Sequence, residues 1–167
     1  MNNTQNVSEE IVCEYWETPV VDCEDLWLER ILYSQNYAFF FFVKDYSLLE
    51  NEFYVLTISG NGHDPFMITE EGLGWKTIGD LLKNKKSSKR EKGKTYKVWN
   101  TDFAKKIVGA FLLTEEEYER HEKFQYVIRT NDTWIEFVSF EAPRWDCHKN
   151  VKFDELVIKY LKKDPYE

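Results

Sequence analysis

Cysteine is scarce: Cys13, Cys23 and Cys147 are the only three in 167 residues, too few and too oddly numbered for a disulfide framework. Their spacing also excludes the close pairs that structural zinc requires, since Cys13 and Cys23 stand ten residues apart. Cys147 and His148 are adjacent, so in extended chain they point to opposite sides. His63 and His121 are the remaining soft ligands, and neither a metal nor a cofactor is expected. No run approaches the roughly 18 apolar residues of a membrane span, and Met1 to Glu10 has neither a basic n-region nor an apolar h-region. With the unpaired thiols, these absences lead to the expectation of a cytoplasmic protein with no membrane partner. No repeat occurs at any period and no linker interrupts the chain. One domain over residues 9–167 is therefore expected, behind a disordered polar tail at 1–8.

Positive charge is also in deficit, with 22 basic against 30 acidic residues and a net charge of −8. The segment from Lys85 to Lys94 alone carries +5, which leaves −13 on the other 157 residues. Such a body repels phosphate backbones and attracts basic partners by long-range steering. The basic segment has no apolar residue to join a core, so an exposed loop is expected at 84–95.

What the chain has in excess is aromatic side chains, 17% of all residues, with four consecutive phenylalanines at Phe39 to Phe42. A short apolar run bounded by polar residues reads as a strand buried on both faces. A second β-branched and aromatic run, Glu52 to Ser59, is expected to pair with it as an antiparallel hairpin. Strands are also expected within Glu9 to Glu17, at Phe66 to Thr69 and at Tyr96 to Trp99. Phe124 to Thr130 and Thr133 to Phe140, separated by Asn131-Asp132, read as a further hairpin.

Helices are expected from Cys23 to about Ser34, where Leu28, Ile31 and Leu32 form a stripe widened by Trp27, and through Asp80 to Leu82 after a Thr77 cap. Thr101 caps another, with Phe103, Ile107, Ala110 and Phe111 on one face. Thr114 and Glu117 form a capping box for the next, and Phe153, Leu156, Val157, Tyr160 and Leu161 give the stripe of the last. Glu141 to Asn150 reads as irregular. The expected fold is α+β: a mixed, largely antiparallel sheet of about five to six strands with helices packed mainly on one face.

Three functional readings follow, and the acidic one leads. Glu14, Glu17, Glu24 and Asp25 are interleaved with Trp16 and Trp27, and Glu115, Glu116 and Glu117 stand beside Tyr118. Carboxylates beside aromatic anchors suit a protein interface with a basic partner, because charge steers the encounter and buried rings supply the hot spots. The expected protein is then a non-catalytic inhibitor of the immunity or antitoxin kind, occluding a basic partner such as a nuclease toxin. The enzyme reading places His63 as acid or base in Gly60-Asn61-Gly62-His63-Asp64, oriented by Asp64, in a pocket lined by Trp75 or Trp145. That loop matches neither GxGxxG nor a P-loop. Asp146-Cys147-His148 offers a thiol without a base in position. The third reading makes Lys85 to Lys97 a nucleic-acid contact with Tyr96 and Trp99 as stacking rings.

Overall fold

Strand β3, Ala38–Asp45, is buried along nearly its whole length, and its two faces meet different partners. Phe41 and Val43 point into the space between two sheets, whereas Phe40 and Phe42 point out of it toward a helix. The computed structural model describes residues 10–34, 38–48, 51–59, 66–70, 94–111, 114–139 and 143–163. The tail at 1–8, the Gly60–Asp64 loop with His63, Trp75, the helix expected after Thr77 and the basic segment up to residue 93 lie outside the described residues.

Among the described residues, β3 is joined by β1 (Val12–Tyr15), β2 (Leu26–Tyr33), β4 (Glu52–Ser59), β5 (Phe66–Glu70) and β6 (Thr95–Trp99). Strands β7 (Phe124–Arg129), β8 (Thr133–Phe137) and β9 (Arg144–Lys149) complete two sheets, ordered β2-β3-β4-β9 and β1-β6-β7-β8-β5. Every pairing is antiparallel. Three short helices are described: α1 (Asp102–Phe111), α2 (Glu115–Arg120) and α3 (Phe153–Leu161). The expectation of one mixed sheet with helices on one face is thus corrected to two antiparallel sheets packed face to face. Helix α3 covers the outer face of the four-stranded sheet, while α1 packs on β7 of the other.

The largest correction falls on Cys23 to Ser34, which holds β2 and not a helix. A bulge lies between Leu28 and Arg30, where the register to β3 slips by one residue. The extra residue, Glu29, resets the alternation, so Leu28 and Ile31 both pack inward although they are three apart in sequence. A bulged strand therefore mimics the i, i+3 spacing of a helix. Glu141 to Asn150 is corrected as well, since it contains β9. This edge strand carries Arg144, Asp146, His148 and Lys149, and charge on an edge hides the apolar alternation that marks inner strands.

The sandwich core joins Leu26, Phe41, Val43, Tyr54, Leu56 and Ile58 to Tyr126, Ile128, Ile135 and Phe137 of the facing sheet. Phe66 of β5 reaches across to Phe39 and Phe41, with ring centroids 4.6 and 5.4 Å away. On the outer face Phe40, Phe42, Phe53 and Val55 are sealed by Leu156, Val157 and Tyr160 of α3. Helix starts lie where capping chemistry places them. The Ala104 N–H donates to Thr101 Oγ1 at 3.1 Å, and Thr114 and Glu117 form their reciprocal box. In α1 the fully buried positions are Ala104 and Val108, with Phe103 and Ile107 flanking them and Ala110 exposed.

Phe42 has no exposed surface and meets Tyr160 and Phe153 edge-on at 5.4 and 5.8 Å. Phe42→Ala is expected to cost about 3–5 kcal/mol in urea unfolding. Leu161→Ala, at a helix position 56% exposed, should stay within about 0.5 kcal/mol. Equal losses at the two sites would contradict the assignment of the outer face of β3 to the core.

Candidate interaction surface

The end of β3 carries a buried carboxylate, Asp45, 3% exposed. Its Oδ1 accepts the Asp25 N–H at 3.1 Å, the Ser47 N–H at 2.9 Å and the Ser47 hydroxyl at 2.7 Å. Burial pushes the Asp45 pKa up, but hydrogen bonds from Ser47, Asp25 and Cys23 outweigh it and hold the carboxyl below its ordinary value. The charged form is therefore native, and it fixes the segment before β2 against the segment after β3.

Asp25, fixed in this way, reaches outward. Its Oδ1 accepts the indole N–H of Trp27 at 2.8 Å and the Asn131 side-chain amide from the β7–β8 turn. Asn131 Oδ1 in turn accepts Lys94 Nζ at 2.9 Å. Tyr46, next after Asp45, gives its N–H to the Asp25 carbonyl at 2.9 Å and its hydroxyl to Glu29 Oε1 at 2.7 Å. That bond, with a little burial, raises the Tyr46 pKa. Lys44 lies between, with Nζ 4.4 Å from the Tyr46 ring centroid, 5.2 Å from that of Phe53, and 3.1 Å from Asn51 Oδ1. Trp27 and Tyr46 remain 38% and 49% exposed, so each ring faces solvent while its polar end is held by a carboxylate. Beside them runs an open groove of about 620 Å³, lined by Glu29, Lys44, Tyr46, Phe53 and the first turn of α3.

The residues singled out in the sequence are distributed unevenly around this surface. Glu24 and Trp27 are exposed at it, and Asp25 is its brace. Glu14 and Glu17 are exposed on and just after β1, in the other sheet's edge region. Trp16 packs between the sheets, 4.5 Å from Tyr126 and 6.0 Å from Trp145. Glu115 and Glu116 are exposed on α2, where Glu116 pairs with Arg120 and Glu117 serves the N-cap. Tyr118 packs against α1 and lies under Lys123, 4.3 Å from its ring centroid. Helix α2 leads into β7 at Phe124, whereas Asp25 meets the turn at the other end of that strand, roughly 20 Å away at strand rise. The two acidic clusters do not converge. Tyr46 and Phe53 carry no such signal in the sequence: Phe53 comes to Trp27 through register with Lys44, and Tyr46 through its bond to Glu29, one of the acids in the first thirty residues.

The chemical alternatives are placed by the same geometry. Cys147 and His148 point to opposite faces of β9: Cys147 stands opposite Tyr54 of the inner face and His148 opposite Phe53 of the outer face. The Cys147 thiol donates to Glu52 Oε1 at 2.9 Å, and burial followed by the Glu52 hydrogen bond pushes its pKa to about 11. It is a thiol at neutral pH and a poor nucleophile. On the outer face His148 Nε2 lies 2.9 Å from the Tyr160 hydroxyl, which donates to Asp146 Oδ2 at 2.5 Å, and Lys163 Nζ donates to the same oxygen at 2.7 Å. Tyr160 is fully buried, so this cluster clamps α3 to the edge strand. Tyr96, one proposed stacking ring, is 2% exposed and part of a core cluster. Among the described residues no group of three or more His, Cys, Asp or Glu could hold a metal ion, and no helix is long and apolar enough to cross a membrane. Comparison with protein-family models, curated proteins and solved structures finds no match in any of the three.

Among the described residues one carboxyl group is buried in the five-stranded sheet. Glu136 of β8 has no exposed surface; its Oε2 accepts Gln125 Nε2 at 2.7 Å, and Gln125 Oε1 accepts the Thr101 hydroxyl at 2.7 Å. Glu136 Oε1 has no hydrogen-bond partner among the described residues. Burial, only partly offset by Gln125, pushes the Glu136 pKa from 4.5 up to about 8. Between those values the folded protein keeps a proton that the unfolded chain releases. This contribution to stability is therefore complete below pH 4.5 and is lost as pH rises toward about 8. Glu136→Gln is expected to remove that slope and raise stability in mildly alkaline buffer, read as urea midpoints against pH beside the parent. His148, whose pKa burial lowers, slopes the other way in both proteins and cancels in the comparison. Parallel curves would assign the titration elsewhere.

Proposed function

We propose that this protein acts by binding, and that it neutralises a basic partner protein by occlusion, as an immunity protein or antitoxin does. The observation that carries the reading is the pair Trp27 and Tyr46, exposed rings whose polar ends are fixed by Asp25 and Glu29. Trp and Tyr dominate binding hot spots, and rings already held in one rotamer lose little entropy on docking. Exposed Glu24 beside them, with Asp154 and Glu155 across the groove, supplies carboxylates for basic side chains at the rim. The net charge of −8 supports electrostatic steering of the encounter. Glu14, Glu17, Glu115 and Glu116 add to that long-range field from outside the contact. Three cysteines outside any disulfide suit a reducing compartment, in keeping with a cytoplasmic site of action.

The test is affinity capture of the tagged chain from its host's lysate at low salt, followed by a salt-step elution and mass spectrometry. A basic protein in stoichiometric amount, released by moderate salt, is expected. Trp27→Ala and Tyr46→Ala should each weaken that complex by about 2 kcal/mol, roughly thirtyfold in Kd, whereas Glu116→Ala should leave the contact intact. An empty capture, or a complex indifferent to both rings, would sink the proposal.

A further inference from the structure

Strand β2 is an edge: it pairs with β3 on one side, and no strand lies on the other among the described residues. Its bulge gives it an unusual symmetry. Leu26, Leu28 and Ile31 pack inward, and Tyr33 stacks on inward-facing Phe39. On the outer face, Trp27 pairs with Lys44, Glu29 binds Tyr46, Arg30 lies over Phe153 and Leu32 joins the helix-covered cluster. The face pattern over Leu26–Tyr33 is thus in-out-in-out-out-in-out-in, the same from either end. An unbulged strand could not be palindromic about a point between two residues.

Two antiparallel strands related by a twofold axis normal to the sheet keep their faces. Only a palindromic pattern lets each residue meet a same-face counterpart about this centre. Here the pairs would be Trp27 with Leu32, Leu28 with Ile31, and Glu29 with Arg30, so apolar residues meet apolar ones and the central charges are opposite. The backbone agrees with this register. The Asp25 carbonyl and the Ser34 N–H are both bonded toward β3, to Tyr46 and Ala38 at 2.9 Å. Alternation from each end, reset at the bulge, turns the N–H and C=O of Leu28 and Ile31 to the free edge, where they oppose one another. The Leu26 carbonyl already accepts the Asn131 N–H at 2.8 Å, which limits the pairing to Trp27–Leu32.

We propose that a second copy of this chain pairs with β2 in this register, joining two four-stranded sheets into one of eight strands. Charged edge residues ordinarily keep strands apart. Glu29 and Arg30 do so against other strands but complement their own copy. Pairing at the edge leaves the outer faces of Trp27 and Tyr46 open, so this inference stands or falls apart from the partner-binding reading.

The full-length chain should sediment as a concentration-dependent dimer. Glu29→Arg alone and Arg30→Glu alone each place like charges opposite and should weaken the dimer about tenfold or more. The double variant Glu29→Arg/Arg30→Glu restores opposite charges across the axis and should restore the dimer. In a Cys147→Ser background, Trp27→Cys with Leu32→Cys should form a covalent dimer on mild oxidation, which keeps the test open if a charge variant fails to fold. A wild-type monomer at high concentration overturns the proposal. So does a dimer indifferent to the single swaps, or a folded double variant that stays monomeric and a cysteine pair that does not cross-link.

Discussion

Two-sided burial of β3 dictates what its neighbours must be. Phe41 and Val43 need an apolar sheet face above them, and Phe40 and Phe42 need a second cover below. Neither β2 nor β4 can supply this, since both lie beside β3 in the same layer. The five-stranded sheet meets the first need and α3 the second. Its last residues are then clamped, Tyr160 being held between His148 and Asp146 of β9. The ring of Tyr160 packs on Phe40 and Phe42 while its hydroxyl serves the edge strand, so one side chain joins apolar cover to polar anchoring.

The sequence makes legible those elements whose pattern is local. The phenylalanine strand, its hairpin with β4, the β7–β8 hairpin and the capped starts of α1 and α2 each rest on alternation, turn chemistry or capping within a few residues. What misled was a feature with a long-range cause. The Glu29 bulge lies in the pairing of β2 with β3, and it imprints a helix-like spacing on a strand. With that segment read as a helix, a single sheet followed. The charged edge strand β9 escaped for the complementary reason: charge protects an edge, and the same charge erases the alternation that would reveal it.

The interaction surface was half legible. Trp27 and Glu24 stand out by composition alone, and the acidic balance gives the sign of the partner. Trp16 carries the same composition signal yet packs between the sheets, because β1 returns the chain toward the core beside Tyr126 and Trp145. No spacing rule separates the two tryptophans. Tyr46 becomes relevant only once register sets Lys44 opposite Trp27 and Phe53 opposite Lys44.

The core and this surface meet at Asp45, the last residue of β3. Its carboxylate holds Asp25 and Ser47 in place, and those two segments present Trp27 and Tyr46. An acidic protein has carboxylates in surplus, and here they divide into two uses. Asp25 and Asp45 are consumed in hydrogen bonds that fix ring orientation, so they offer little to a partner, while Glu29 holds Tyr46 through Oε1. Glu24 and the other exposed acids contribute charge at the surface. Orientation thus comes from the buried and braced carboxylates and attraction from the exposed ones. A substitution at Asp45 would loosen both rings at once while leaving the field of the protein almost unchanged, which separates the two uses physically.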